Sequence, residues 1–89
     1  WNPMNKQHGG LNDENSHAGD LGNIIANSKG EVLKHLSTDK LTLFGKNSII
    51  GRSIIIHEDE DDLGKGGFQD SLETGHSGKR LDCAIIGYA

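Results

Sequence analysis

Five isoleucines fall within the nine residues from Ile49 to His57, and β-branched side chains at that density favour an extended strand over a helix. Alternation places Ile50, Arg52, Ile54 and Ile56 on one face and Ile49, Gly51, Ser53, Ile55 and His57 on the other. His57 therefore ends the strand opposite Ile56. Such a strand needs partners, and the chain offers few. Leu81 to Ala89 reads as a final strand, and Leu21 to Ala26 leads through the turn cluster Asn27-Ser28-Lys29-Gly30 into an antiparallel hairpin. Glu31 to Phe44 stays ambiguous, because Val32, Leu33 and Leu36 fit helical spacing while Leu41-Thr42-Leu43 alternates like a strand.

The rest is loop. Residues 1–20 hold Pro3, Gly9, Gly10 and Gly19 among Asn, Asp, Ser and His; residues 58–80 run from five consecutive acids, Glu58 to Asp62, into Gly64, Gly66, Gly67, Gly75 and Gly78. Loops of that length usually serve a function. Short strands joined by glycine-rich connections predict an all-β sandwich or barrel rather than a helical bundle. About four strands are too few to close one, so further strands are expected from outside these residues.

Composition narrows the function. A chain of 89 residues, 33% of them hydrophobic and 13 of them glycine, makes at most one small domain. Nine basic against 13 acidic residues give a net charge of −4 with only two arginines, which argues against a nucleic-acid partner. No apolar run approaches the roughly 18 to 20 residues of a membrane-spanning helix. The single cysteine, Cys83, has no partner within the chain. Trp1 opens the sequence without a methionine and without the features of a signal peptide, as expected of a truncated, processed or excised piece.

Titratable groups gather in the loops: His8, then His17 with Asp20 three residues later, then His57 at the strand end. Two imidazoles and a carboxylate suit zinc, which takes four tetrahedral N, O or S ligands. Read alone, however, His8 and His17 fit no compact zinc-finger spacing and read first as solvated loop histidines, while Asp20 would cap a turn.

The order of the strings Asn2-Pro3, His8-Gly9-Gly10, Asp13-Glu14, His17-Ala18-Gly19-Asp20-Leu21-Gly22-Asn23, Ile49-Ile50-Gly51-Arg52, His57-Glu58, Asp61-Asp62-Leu63-Gly64-Lys65-Gly66-Gly67 and Gly75-His76-Ser77-Gly78-Lys79-Arg80-Leu81-Asp82-Cys83 goes further. Together they closely resemble the copper-zinc superoxide dismutase family, over essentially the whole chain and most weakly between Asn27 and Lys46. The resemblance implies an eight-stranded Greek-key β-barrel, of which this chain supplies roughly the C-terminal half. Its parts would be a zinc-binding loop (1–20), barrel strands (21–57), an electrostatic loop (58–80) and a C-terminal strand (81–89). It further implies copper and zinc as cofactors, superoxide as substrate, a homodimer with contacts near Ile50, Gly51, Ile86 and Gly87, and a copper chaperone as a partner. Neither a nucleic acid nor a membrane is implied. The family's His-x-His copper pair, its bridging histidine and a second cysteine are expected before Trp1.

Carried over by position, His8, His17 and Asp20 match zinc ligands and His57 matches a copper ligand. Asp61 matches the carboxylate that joins a copper histidine to a zinc histidine, a role that fixes ring orientation and tautomer. Arg80 matches the arginine that attracts superoxide beside the copper; without the resemblance it reads as a salt-bridged surface residue. Cys83 matches one half of the family disulfide. Glu73 stands where many members carry a lysine, Asp82 replaces a small residue before the cysteine, and His76 replaces a common asparagine. His76 and His35 read as surface residues. The expected activity is superoxide disproportionation, with a non-enzymatic zinc-binding or interaction module as the alternative. The expected compartment is cytoplasmic, with extracellular as the alternative.

Overall fold

A computed structural model describes residues 1–89. Its regular elements are few: strand β1 (Ser53–His57), a single helical turn α1 (Ser71–Thr74) and strand β2 (Arg80–Ile85). β1 and β2 pair antiparallel into a two-stranded sheet. The chain is thus mostly non-helical, as expected, but these residues do not by themselves form a barrel. No helix is long and apolar enough to cross a membrane.

The isoleucine-rich strand starts later than its composition suggests. Gly51 lies at φ 85°, and the Arg52 N–H donates to Ile49 O at 3.0 Å, so residues 49–52 form a turn before β1 begins. Glycine tolerates that left-handed backbone without penalty. Ile86 continues the pairing past β2 through bonds with Gly51 and Arg52, and regular structure then stops short of Ala89.

The hairpin expected between Leu21 and Gly30 reduces to its turn. Gly30 N–H donates to Asn27 O, and the Asn27 side chain accepts from the N–H groups of Lys29 and Glu31 at 2.9 Å each. This self-contained asparagine turn closes without any ladder running into its flanks. Nor do residues 31–44 become helix or strand. Apart from Glu31 O, which accepts the Asn27 N–H in that turn, their one backbone pairing is an isolated bridge of Thr42 to Ser48.

The sequence reading did not foresee α1. Asp70 precedes it and Gly75, at φ 71°, ends it by donating its N–H to Ser71 O. Four residues are too short to carry a helical period.

Burial is inverted relative to an ordinary domain. No hydrophobic residue is buried, while His8, Ser16, Asp20, Ser71 and Ser77 are. Leu33 is 92% exposed and Ile25 87%. The tight packing of this chain is around its polar site.

Candidate metal centre

The first loop folds back on itself around one carboxylate. Asp20 Oδ2 accepts the backbone N–H of His17 at 2.7 Å and of Gly9 at 3.1 Å, which turns Oδ1 inward. There it meets His8 Nδ1 at 3.0 Å and His17 Nδ1 at 3.4 Å. Those amide bonds draw residues 8–9 and 17 to one point, and Gly9 and Gly10 permit the approach: a Cβ on Gly9 would overlap Asn15 O.

One potential donor atom from each of His8, His17 and Asp20 lies within 4.8 Å of the others. Four donors about 2.0 to 2.1 Å from a zinc ion stand roughly 3.3 Å apart along the edges of the tetrahedron. The observed 3.0 and 3.4 Å match those edges, so the donor set and its spacing both fit zinc.

Proton accounting supports the same fit. His8 Nε2 lies 2.6 Å from Asp61 Oδ1 while its Nδ1 faces Asp20. A neutral imidazole has one N–H to offer two carboxylates. With that proton on Nε2, donated to Asp61, Nδ1 keeps its lone pair for a metal.

Asp61 is itself held. Its N–H donates to Asn23 Oδ1 and its carbonyl accepts from Asn23 Nδ2, both at 2.9 Å, while Oδ1 also accepts the Leu63 N–H at 2.8 Å. The His8 N–H donates to Leu72 O in α1 at 2.8 Å, and the Asp62 N–H to Gly75 O at 2.9 Å. The two long loops are thereby joined around the His8 ring. Next to Asp61, the Asp62 carboxyl is held below its ordinary value, mainly by the Ser71 hydroxyl and then by the Gly64 and Gly66 amides and His76.

His57 and Arg80 meet elsewhere, at the end of the sheet. Ile56 pairs with Asp82 but His57 pairs with Arg80, so Leu81 is an extra residue and the strand bulges there. His57 Nδ1 sits 3.3 Å from Gly78 O. A carbonyl only accepts, so Nδ1 carries a proton, and in the neutral ring Nε2 keeps its lone pair. Arg80 is exposed and takes part in none of the ion pairs, all of which join histidines to carboxylates. His57 is not part of the His8–His17–Asp20 cluster.

Cys83 is a free, exposed thiol paired across the sheet with Ile55. His35 is exposed. His76, also exposed, bonds Asp70 Oδ1 through Nδ1 at 2.6 Å and stacks on Phe68 with ring centroids 3.8 Å apart. Glu73 is on the exposed side of α1.

Several contributors had no role in the sequence reading. Asn23 and Gly75 fell inside the motif strings without a function attached. Lys34 reaches Asn23 O and Lys40 reaches the first loop, both from the segment whose wording was least distinctive.

Comparison with known proteins agrees with this geometry. The sequence profile described as copper/zinc superoxide dismutase matches residues 1–86. The chain is 55% identical over 86 residues to Superoxide dismutase [Cu-Zn] 5 of Dictyostelium discoideum, an alignment covering 97% of this chain and 57% of that relative. The chain thus spans little more than half the length of that relative.

Proposed function

Because the chain belongs to the copper/zinc superoxide dismutase family, we propose that it forms the metal-loop half of an enzyme that converts two superoxide ions and two protons into dioxygen and hydrogen peroxide. The carrying observation is the convergence of His8 Nδ1, His17 Nδ1 and Asp20 Oδ1 at tetrahedral-edge spacing, with Asp61 behind His8. In this reading those three residues are zinc ligands and His57 is a copper ligand through Nε2. Copper, when bound, supplies the one-electron chemistry, and zinc fixes the ligand loop.

The chain's own residues do the remaining work. Asp61 accepts the His8 Nε2 proton and so sets which nitrogen faces the metal. Gly78 O does the same for His57. Arg80, brought across from His57 by the bulge and free of any carboxylate, offers a fixed cation to a small anion. In a chain of net charge −4 that local cation is what favours superoxide over general repulsion.

The larger architecture follows as part of the same reading. β1 and β2 are two strands of an eight-stranded Greek-key barrel, and the exposed faces of Ile25, Leu33 and Phe44 are surface for its other strands. Ile50, Gly51, Ile86 and Gly87 lie where a second copy would pack. The exposed Cys83 thiol is available to a partner cysteine.

The test uses the complete polypeptide that carries this sequence, measuring copper and zinc per chain and the rate of superoxide loss. Arg80→Gln should slow the reaction and Arg80→Glu should slow it further, with metal content unchanged and with the gap narrowing as salt rises. Equal rates for the two variants at every ionic strength would refute the role of Arg80. A protein that binds one zinc per chain but never dismutates would be the non-enzymatic module instead.

A further inference from the structure

The donor side of the zinc-ligand cluster accounts for only half of what holds it. His17 and Asp20 share one tight turn, in which the Asp20 N–H donates to His17 O at 3.1 Å. The outer face of that turn presents carbonyl lone pairs, and a single side chain gathers them. Lys40 Nζ donates to His17 O at 3.2 Å, to Asp20 O at 3.2 Å and to Ser16 Oγ at 3.1 Å. An ammonium has three N–H groups, and each has an acceptor here. Lys40 is half-buried, and its own backbone is fixed by a bond from its N–H to Thr38 Oγ1 at 3.1 Å.

From this clamp we infer that Lys40 is a positioning residue for the zinc ligands His17 and Asp20. It holds the turn on which both side chains are mounted and so keeps Asp20 Oδ1 within 3.4 Å of His17 Nδ1. The inference rests on the assignment of these residues as zinc ligands.

Charge and geometry predict opposite signs, which makes the role testable. As a bare cation near a divalent ion, Lys40 would weaken zinc binding, and its removal would tighten it. As a clamp, its removal frees the turn and weakens binding. Residues that orient metal ligands from outside typically matter by about 10- to 100-fold in affinity. With three bonds to one turn, Lys40 belongs at the lower end of that range, about tenfold.

The experiment measures zinc affinity of the metal-stripped complete protein by competition with a chromophoric chelator. Lys40→Met keeps the apolar stem and removes every donor; it should bind zinc about tenfold more weakly. Lys40→Arg should recover most of that loss, which a packing defect alone would not produce. If Lys40→Met does not fold, Lys40→Gln, which keeps one donating group, is read in its place and should show a smaller loss. Affinity equal to or tighter than wild type in the Met or Gln variant overturns the inference, as does an Arg variant no better than Met. A His17→Ala variant separates the two levels. If the wild type takes up no zinc, or His17→Ala binds it as well as wild type, the ligand assignment itself falls and the Lys40 role falls with it. If His17→Ala loses zinc and Lys40→Met does not, only the Lys40 role falls.

Discussion

Gly75→Ala gives a direct test of how tightly the two loops are fitted around His8. Gly75 sits at φ 71°, and a Cβ built there overlaps Asp61 Oδ1 outright and comes within 2.5 Å of His8 Nε2. Left-handed backbone costs a residue with a Cβ about 1 to 2 kcal/mol. Beyond that strain, the Asp61 carboxylate has to leave His8, and a hydrogen bond with a charged partner contributes about 1.5 to 3 kcal/mol. The first cost falls on the protein with or without metal. Under the proposed role of His8 as a zinc ligand, the share of the second cost that falls on the zinc-bound state, where the Nε2 proton must be held, converts at roughly 1.4 kcal/mol per tenfold to a loss of zinc affinity of up to about 10- to 100-fold. The assay is chelator competition on the complete protein, with thermal unfolding of the metal-free form reading the backbone cost separately. A second arm places the same change in an Asp61→Ala background, where the Asp61 overlap is gone and only the contact with His8 Nε2 remains, so Gly75→Ala should cost less zinc affinity there than in the wild-type background. Wild-type affinity in the single variant, or an equal loss in both backgrounds, would refute the reasoning.

Two further outcomes follow from the second loop. Because the folded Asp62 carboxyl is held below 3.8, its stabilising effect is whole above that value and is lost as pH falls through the lower folded one. Asp62→Asn should therefore melt below wild type near neutral pH and converge with it in strong acid; a gap that stays constant down to about pH 2 would contradict this. Glu73→Lys replaces an exposed anion on α1 by a cation, and under the proposed activity it should speed superoxide turnover of the complete protein about twofold at low salt and not at all at high salt. A slower or unchanged rate at low salt, at normal metal content, would place Glu73 off the approach path.

How much of this was legible in the sequence differs from residue to residue. His8, His17 and Asp20 were visible as a donor set but not as a site, because their spacing fits no local pattern. What unites them is a pair of amide bonds to Asp20 Oδ2. That the isoleucine segment and the last residues are strands was legible from β-branching and alternation, but their antiparallel pairing and its register were not. Nothing in the residue types signals that Leu81 is the extra residue that sets His57 against Arg80. The hairpin at Asn27 was overdrawn, since a strong asparagine turn needs no strands to close. Lys40 was invisible for another reason: a lysine in an apolar-alternating segment reads as a solvated charge until its three acceptors are in place.

Burying mostly polar groups also shapes the response of this cluster to temperature. Apolar surface exposed on unfolding raises heat capacity by about 0.45 cal/K/mol per Å² and polar surface lowers it by about 0.26, and it is the positive sum that bends the stability curve of a domain. Around His8, Ser16, Asp20, Ser71 and Ser77 the positive contribution is reduced, because neighbouring apolar residues such as Leu11, Leu21 and Leu63 are only partly covered, and the polar groups offset it. Opening these loops should therefore change heat capacity little, so their free energy runs nearly straight with temperature. Cooling, which weakens apolar packing, leaves the histidine and carboxylate bonds in place. Any cold sensitivity of the complete protein would belong to whatever covers Ile25, Leu33 and Phe44, and the ligand loops would be the last part to feel it.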